Sequence, residues 1–310
     1  MCCRITPMKK ILVIGSACAD VGLYVDHLPS SEEDVQPRKQ KISLGGCACN
    51  VAGILQLFEV PFTLFAPVGT GIYGTFVESE FRKKGLIPVI RSEEENGACY
   101  CIVDDSGSRT FIAVHGAEYL FRKEWFDALD VEQYDAVYVC GLELEEKTGN
   151  VILDFLEKHQ EMTIYFAPGP RIQFVPEERM NRILSMHPVV HCNRREAAVY
   201  AGHTEYSSAE AAYAIYAKTE NTVIITDGGN PCIYVHGNVL HAVPAFSAEP
   251  VDGTGAGDSH IGTVMAMVSL GYYMDNAVMM ANRIGAKVTE TEGTCLDEQV
   301  FRKTVSEVKI

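Results

Sequence analysis

The sequence predicts an α/β protein with a mostly parallel main sheet and a second, smaller sheet set into its N-terminal half. Three observations lead there. Lys10 to Gly15 is an unbroken apolar run, the pattern of a strand covered on both faces. From Tyr134 onward, short apolar runs alternate with segments of helical period. Between them, 21–44 and 97–114 contain β-prone pieces without helical period.

With 310 residues, 47% of them hydrophobic, the chain has material for one large domain with an appendage. Its 41 acidic and 26 basic residues give a formal net charge of −15, which disfavours nucleic acid and anionic membrane surfaces. A phosphorylated ligand must then be held by amides, metal ions or single basic groups. No apolar run reaches the roughly 20 residues of a membrane-spanning helix, and Met1 to Lys10 has no secretory apolar segment. A cytoplasmic setting is therefore expected, with Met1 to Pro7 a dispensable leader before a domain over 8–310. The 11 cysteines are odd in number and lack a C-x-x-C pair, so they read as small buried hydrophobes in a reducing compartment. Cys47/Cys49 and Cys99/Cys101 are two apart, which on a strand would place each pair on one face.

The first strand leads into Ser16-Ala17-Cys18-Ala19-Asp20. Ligands gather at the carboxyl ends of strands in open α/β sheets, so Asp20 stands as a grip on a hydroxylated ligand or as a turn aspartate. Val21 to Val25 and Gln40 to Leu44 flank a polar loop, and Gly97 to Val103 and Arg109 to Val114 flank the hairpin signal Asp104 to Ser108. Together these four strands form a small sheet that could close over a site. Gly45-Gly46 then precedes a helical period through Val51, Ile54, Leu55 and Phe58, with Asn50 in its early turns. Such a turn either lets backbone approach a ligand, with Gly46 and the Asn50 amide facing it, or is an ordinary capped connection.

Gly69-Thr70-Gly71-Ile72-Tyr73-Gly74 matches G-x-G-x-x-G after a strand expected over Phe62 to Val68, and raises the alternative of a dinucleotide-dependent oxidoreductase. That fingerprint belongs to the first strand-to-helix turn, however, and Lys10 to Gly15 already opens the sheet. In the second half, strands at Ala136 to Cys140, Thr163 to Ala167, Val189 to Cys192 and Val223 to Thr226 alternate with helices near 147–159, 176–186, 194–201 and 207–220. Asn193 and Glu196 lie three apart at a strand end, facing one ligand or forming a capping box. Thr226-Asp227-Gly228-Gly229 could cradle phosphate or simply reverse the chain.

Asp252-Gly253-Thr254-Gly255-Ala256-Gly257-Asp258 runs into an apolar-periodic helix. Glycine-rich backbone at a helix N-terminus attracts anions, phosphate above all. Asp258 in the first turn is either a capping-region acid or a group that accepts a proton during phosphoryl transfer.

In their order along 9–300, these motifs resemble the ribokinase-like, or PfkB, family of carbohydrate and nucleoside kinases. The resemblance implies a doubly wound α/β/α sandwich with a β-sheet lid, and in-line transfer from ATP with Mg²⁺ to a hydroxymethyl group of a small sugar or, alternatively, a nucleoside. It implies that Asp258 is the general base, with the amides of Gly255, Ala256 and Gly257 forming an anion hole. Asp20, Gly46 and Asn50 match sugar-binding positions. Asn193 and Glu196 match the element that orders Mg²⁺ and the ATP phosphates, Thr226 and Gly228 lie along those phosphates, and Asn282 sits beside the base. Asp252 belongs to a loop associated with K⁺, and a homodimer pairing through the lids is expected. Departures are Gly69-Thr70-Gly71 in place of Gly-Asp-Asp, His260 where an aromatic is common, and only Arg171 retained after the Thr163 to Ala167 strand. A sugar sensor that kept the fold without catalysis is the remaining rival.

Overall fold

Alternate residues of the first strand, β1 (Lys10–Ile14), feed two different cores: Ile11 and Val13 face one layer of helices, Leu12 and Ile14 the other. That is the physical meaning of an unbroken apolar run, since period-two alternation disappears when both faces are dry. The computed structural model describes residues 8–202 and 205–309, so the leader expected at 1–7 lies outside the described residues.

In chain order, β1 is followed by β2 (Cys18–Tyr24), β3 (Lys39–Gly45), α1 (Cys47–Leu57), β4 (Phe62–Phe65), β5 (Pro67–Thr70), α2 (Gly71–Lys84), β6 (Ile90–Glu95), β7 (Ala98–Val103) and β8 (Arg109–Val114). Then come α3 (Lys123–Asp127), β9 (Tyr134–Cys140), α4 (Gly141–Glu145), α5 (Gly149–Lys158), β10 (Thr163–Ala167), α6 (Glu177–Ser185), β11 (Val189–Asn193), α7 (Arg194–Ala201), α8 (Ser208–Thr219) and β12 (Val223–Asp227). The chain ends with β13 (Asn230–His236), β14 (Val239–Val243), α9 (Ala256–Ser269), α10 (Met274–Thr289) and α11 (Glu298–Ser306).

The main sheet has the order β14-β13-β12-β11-β10-β9-β1-β4. It is parallel from β4 to β12 and antiparallel at the β13–β14 edge. Helices α1, α2, α9, α10 and α11 cover one face and α3 to α8 the other, giving the doubly wound α/β/α sandwich that the sequence predicts. The second sheet, β3-β2-β7-β8, holds the four expected extra strands.

One expectation needs correction, and two open readings are narrowed. The apolar stretch Phe62 to Val68 is two strands, because the chain leaves the main sheet at Ala66; β5 pairs with β6 in a separate parallel pair. Cys47 and Cys49 lie on α1, where residues two apart do not share a face. Gly228 and Gly229 form a tight hairpin turn, with Gly228 at φ 57°, that folds β13 back against β12.

Helices α1 and α9 cross at Gly262, where an added Cβ would lie 3.1 Å from Ile54 Cβ and 3.3 Å from the Val51 carbonyl oxygen. A glycine there lets two helices distant in sequence approach closely. Gly262→Val forces them apart and is expected to cost about 1–3 kcal/mol in urea unfolding, as overpacking does. Unchanged stability would contradict the crossing as described.

Candidate active site

The close approach of α1 and α9 brings Asn50 to Asp258. Asn50 Nδ2 donates to Asp258 Oδ2 at 2.8 Å, while Asn50 Oδ1 is buried without a hydrogen-bond partner among the described residues. Burial pushes the Asp258 carboxyl up to about 6, against the opposing effect of the Asn50 and Cys47 hydrogen bonds. Asp258 sits in the first turn of α9, and no side chain caps that helix. The N-cap is Gly255 at φ 77°, and a Cβ there would fall 2.8 Å from Thr294 Cβ. First-turn amides beside an uncapped helix start form a cradle for anionic oxygens. Ala256 N leans back on the Gly253 carbonyl at 3.4 Å.

Glycine is needed again at the start of α1. Gly46 adopts φ 98°, and a Cβ on it would be 2.5 Å from the Ser16 carbonyl oxygen. On Gly45 a Cβ would lie 1.9 Å from Asp20 Oδ2, so the Asp20 carboxyl rests directly on that glycine. Asp20 is not in a turn after β1; it lies within β2, paired in register with Ser43. Its carboxyl is pushed up to about 7, chiefly by burial and further by the charges of Asp258 and Asp252, with the Cys18 thiol opposing. A cleft of about 90 Å³ is lined by Asp20, Ser43, Cys99, Arg109, Asp252 and Thr254, so the inner face of the small sheet looks onto the glycine loop.

Glu143 escaped the sequence reading. It stands just past β9, where Oε1 accepts from Ser16 N at 2.8 Å and Oε2 is buried without a partner among the described residues. Burial raises its carboxyl to about 7. The available signal was its position, since the rule that strand ends carry ligands applies to β9 as it does to β1.

Asn193 and Glu196 do form the capping box of α7. Asn193 Oδ1 accepts from Glu196 N at 2.9 Å, and Asn193 N donates to Glu196 Oε2 at 3.0 Å. Asn193 pairs in register with Thr226, which places both at neighbouring strand ends beside the Gly228 turn. Burial and the charge of Asp258 raise the Glu196 carboxyl.

Asn282 has a structural occupation. Its Nδ2 donates to the carbonyls of Val243 (3.2 Å) and Pro244 (2.9 Å), and its Oδ1 meets His260 Nε2 at 3.0 Å. His260 Nδ1 in turn lies 2.9 Å from His191 Nε2, and burial holds both imidazoles neutral, His260 at about 4. The expected position beside a base is thus met by an amide whose N–H groups already hold the 243–244 backbone.

Asp252 Oδ1 accepts from Arg109 Nη1 at 2.5 Å and from Thr254 N at 2.8 Å, and Oδ2 from Gly293 N at 3.3 Å. The G-x-G-x-x-G stretch is packed shut. A Cβ on Gly69 would lie 2.2 Å from the Glu94 carbonyl oxygen, and one on Gly74 2.3 Å from that of Gly69, so these glycines serve backbone packing and leave no space for a pyrophosphate. A larger groove of about 370 Å³ between α3 and α5 contains none of the residues above.

Asp20 and Glu143, each raised to about 7, give the folded chain protons that the unfolded chain has already released. Their contribution to stability is full below the ordinary carboxylate range and is lost as pH rises through 7. The melting temperature of the ligand-free chain should therefore fall between pH 5 and pH 8, and fall less in Asp20→Asn; equal losses in both would exclude Asp20 as a source.

Comparison with known proteins agrees with this geometry. The chain is 29% identical over 293 residues to the uncharacterized sugar kinase YegV of Escherichia coli, covering 94% of this chain and 91% of that one. Its fold matches the ribokinase of Thermotoga maritima with a TM-score of 0.84 at 21% identity, covering 96% of this chain and 99% of that one. It also matches the nucleoside kinase of Methanocaldococcus jannaschii, with a TM-score of 0.79 at 17% identity and coverage of 97% and 99%. The family model for pfkB carbohydrate kinases covers residues 8–300. The chain belongs to that family and is an ATP-dependent sugar or nucleoside kinase.

Proposed function

We propose that the chain phosphorylates a hydroxymethyl group of a small sugar, with Asp258 as general base. One observation carries this reading: a carboxylate raised to about 6 is held by Asn50 at the uncapped start of α9. A base with that affinity is ionised near neutrality yet still basic enough to take a hydroxyl proton. Bound ATP supplies the phosphoryl group. As the bond from the γ-phosphorus to the acceptor oxygen forms, the bond from that phosphorus to the bridging oxygen breaks and its electrons leave with ADP; Asp258 receives the acceptor's proton, and the amides of Gly255, Ala256 and Gly257 face the charge on the transferred group.

Asp20, Gly46, Asn50 and the unpartnered Glu143 oxygen suit hydroxyl groups, because each carboxyl or amide can take a hydroxyl hydrogen bond where no other partner meets it. Asn193, Glu196, Thr226 and Gly228 form the polar ground for the ATP phosphates. Mg²⁺ fits there: it needs few protein ligands when phosphates complete its shell, and the mutual repulsion of Glu196 and Asp258 favours a cation between ligand and protein. Closure of the small sheet excludes water and so suppresses hydrolysis of ATP. A nucleoside acceptor is the second reading, supported by Tyr24, Val103 and Phe111 on the cleft wall, which offer an apolar face to a base.

The edge strand β8 exposes Phe111, Ile112 and Val114, each more than half accessible, and an open apolar edge is a pairing surface. A homodimer through the small sheets follows, and sedimentation should show it dissociate in Ile112→Lys; a monomeric wild type would remove the idea.

Coupled ADP-formation assays over sugars and nucleosides identify the acceptor. Asp258→Asn should lower kcat roughly 10²- to 10⁴-fold, the usual range for a lost general base, while calorimetry still registers both ligands. Full turnover in that variant would overturn the mechanism. The acid limb of the wild-type kcat profile should lie near pH 6, set by Asp258. Asn50→Ala removes a donor to the ionised carboxylate and should move that limb to higher pH.

A further inference from the structure

Apart from its packing on α2, where Tyr73 and Tyr100 share a hydroxyl hydrogen bond of 2.7 Å, the small sheet is tied by charged side chains to the region of the glycine loop at two places. Lys39 Nζ and Lys41 Nζ approach the Glu292 carboxylate at 2.9 and 3.7 Å, but those side chains are exposed and such pairs contribute little. The second tie differs in kind. Arg109, the first residue of β8, reaches Asp252 Oδ1 with Nη1 (2.5 Å), Thr254 Oγ1 with the same nitrogen (3.2 Å) and the Val251 carbonyl with Nη2 (3.1 Å). Its side chain is 20% exposed and that of Asp252 10%, so the pair is largely shielded from solvent. A planar guanidinium can satisfy a carboxylate, a hydroxyl and a carbonyl at once, which an ammonium of the same charge does less well.

All three acceptors lie in 251–254, the segment that delivers the chain into Gly255, Ala256 and Gly257. The same segment is anchored from the other side by Gly293 N on Asp252 Oδ2, and Gly255 is wedged against Thr294. Val251 N and Asp252 N also donate to the Thr289 carbonyl at 2.7 and 2.9 Å, so α10 holds one side of the segment and Arg109 is the contact that the other sheet brings to it. We propose that Arg109 is a positioning residue whose guanidinium completes the Val251–Thr254 loop and makes the Gly255–Gly257 anion hole competent only while the small sheet is closed. K⁺ beside Asp252 does not fit this arrangement. Asp252 Oδ1, Thr254 Oγ1 and the Val251 carbonyl already accept from the guanidinium, Asp252 Oδ2 accepts from Gly293 N, and a second positive charge there meets repulsion. The proposal rests on the kinase reading, and its first test does not.

Hydrogen exchange on the ligand-free chain should show faster exchange in 251–257 and in β8 for Arg109→Gln than for wild type, with the melting temperature little changed. In turnover assays with the acceptor found for wild type, Arg109→Ala should lose kcat roughly tenfold to a hundredfold, the scale of a small misplacement of reacting groups, with KM for the acceptor nearly unchanged. Added guanidinium ion should restore part of that kcat, and replacing Na⁺ by K⁺ should leave wild type unaffected. Unchanged exchange in 251–257 overturns the proposal. So does a defect confined to the acceptor KM, which would make Arg109 a substrate ligand, or stimulation of wild type by K⁺. A wild type that turns over no acceptor refutes the kinase reading, and the exchange result still decides the role of Arg109 in the loop.

Discussion

The hydrogen bond from Asn50 to Asp258 joins positions 208 residues apart and is the contact on which the site depends. It exists because α1 and α9 cross at Gly262 with almost no space between their backbones. Each helix also begins at a glycine with positive φ and has no side-chain cap, so each presents unpaired amides at the same end of the sheet. One close packing contact thus yields a held carboxylate, an uncapped glycine-led helix start and a second helix start of the same kind beside it.

The chemistry follows from a concentration of acid. Asp20, Glu143, Glu196 and Asp258 all have raised carboxyl affinities, with burial as the leading cause and the charge of Asp258 acting on each of the other three. Only Asp252 has a guanidinium among the contacts described above. A protein tolerates such a site when a ligand with many hydroxyls or a cation with phosphates can satisfy it, which is the ligand set of a carbohydrate kinase. The cleft gains further definition from the small sheet, whose β2 supplies Asp20 to one wall and whose β8 supplies Arg109 to the other.

The pair His191 and His260 shows how a substitution can look functional and be architectural. A polar residue where an aromatic is common could suggest a second base two positions from Asp258. Instead, the Asn282 amide points its N–H groups at two carbonyls, which leaves Oδ1 to accept from His260 Nε2–H and makes His260 Nδ1 the acceptor for His191 Nε2–H. The three side chains tie β11, α9, α10 and the end of β14 together beneath the glycine loop. His260 is thus a packing residue, and its partners, His191 and Asn282, lie on two other elements that no local pattern names.

Apolar runs, glycine turns and caps were legible from sequence because each is a local requirement. A doubly dry strand must be apolar throughout, and a left-handed helix start needs glycine. The box that caps α7, Asn193 with Glu196, is a short polar residue followed three positions on by an acid. These determined the sandwich, the extra strands and the loop 252–258. Ambiguity remained wherever one spacing served two purposes, as at Asn193 and Glu196, where the cap is real and leaves room for a second role. Tertiary structure alone decided which side chains meet: Asn50 with Asp258, Arg109 with Asp252, the unpartnered Glu143 beside Ser16, and Asp20 over Gly45. Those contacts arise from helix crossings and from the approach of one sheet to another, and their distances depend on the packing of many side chains at once, which no stretch of chain encodes by itself.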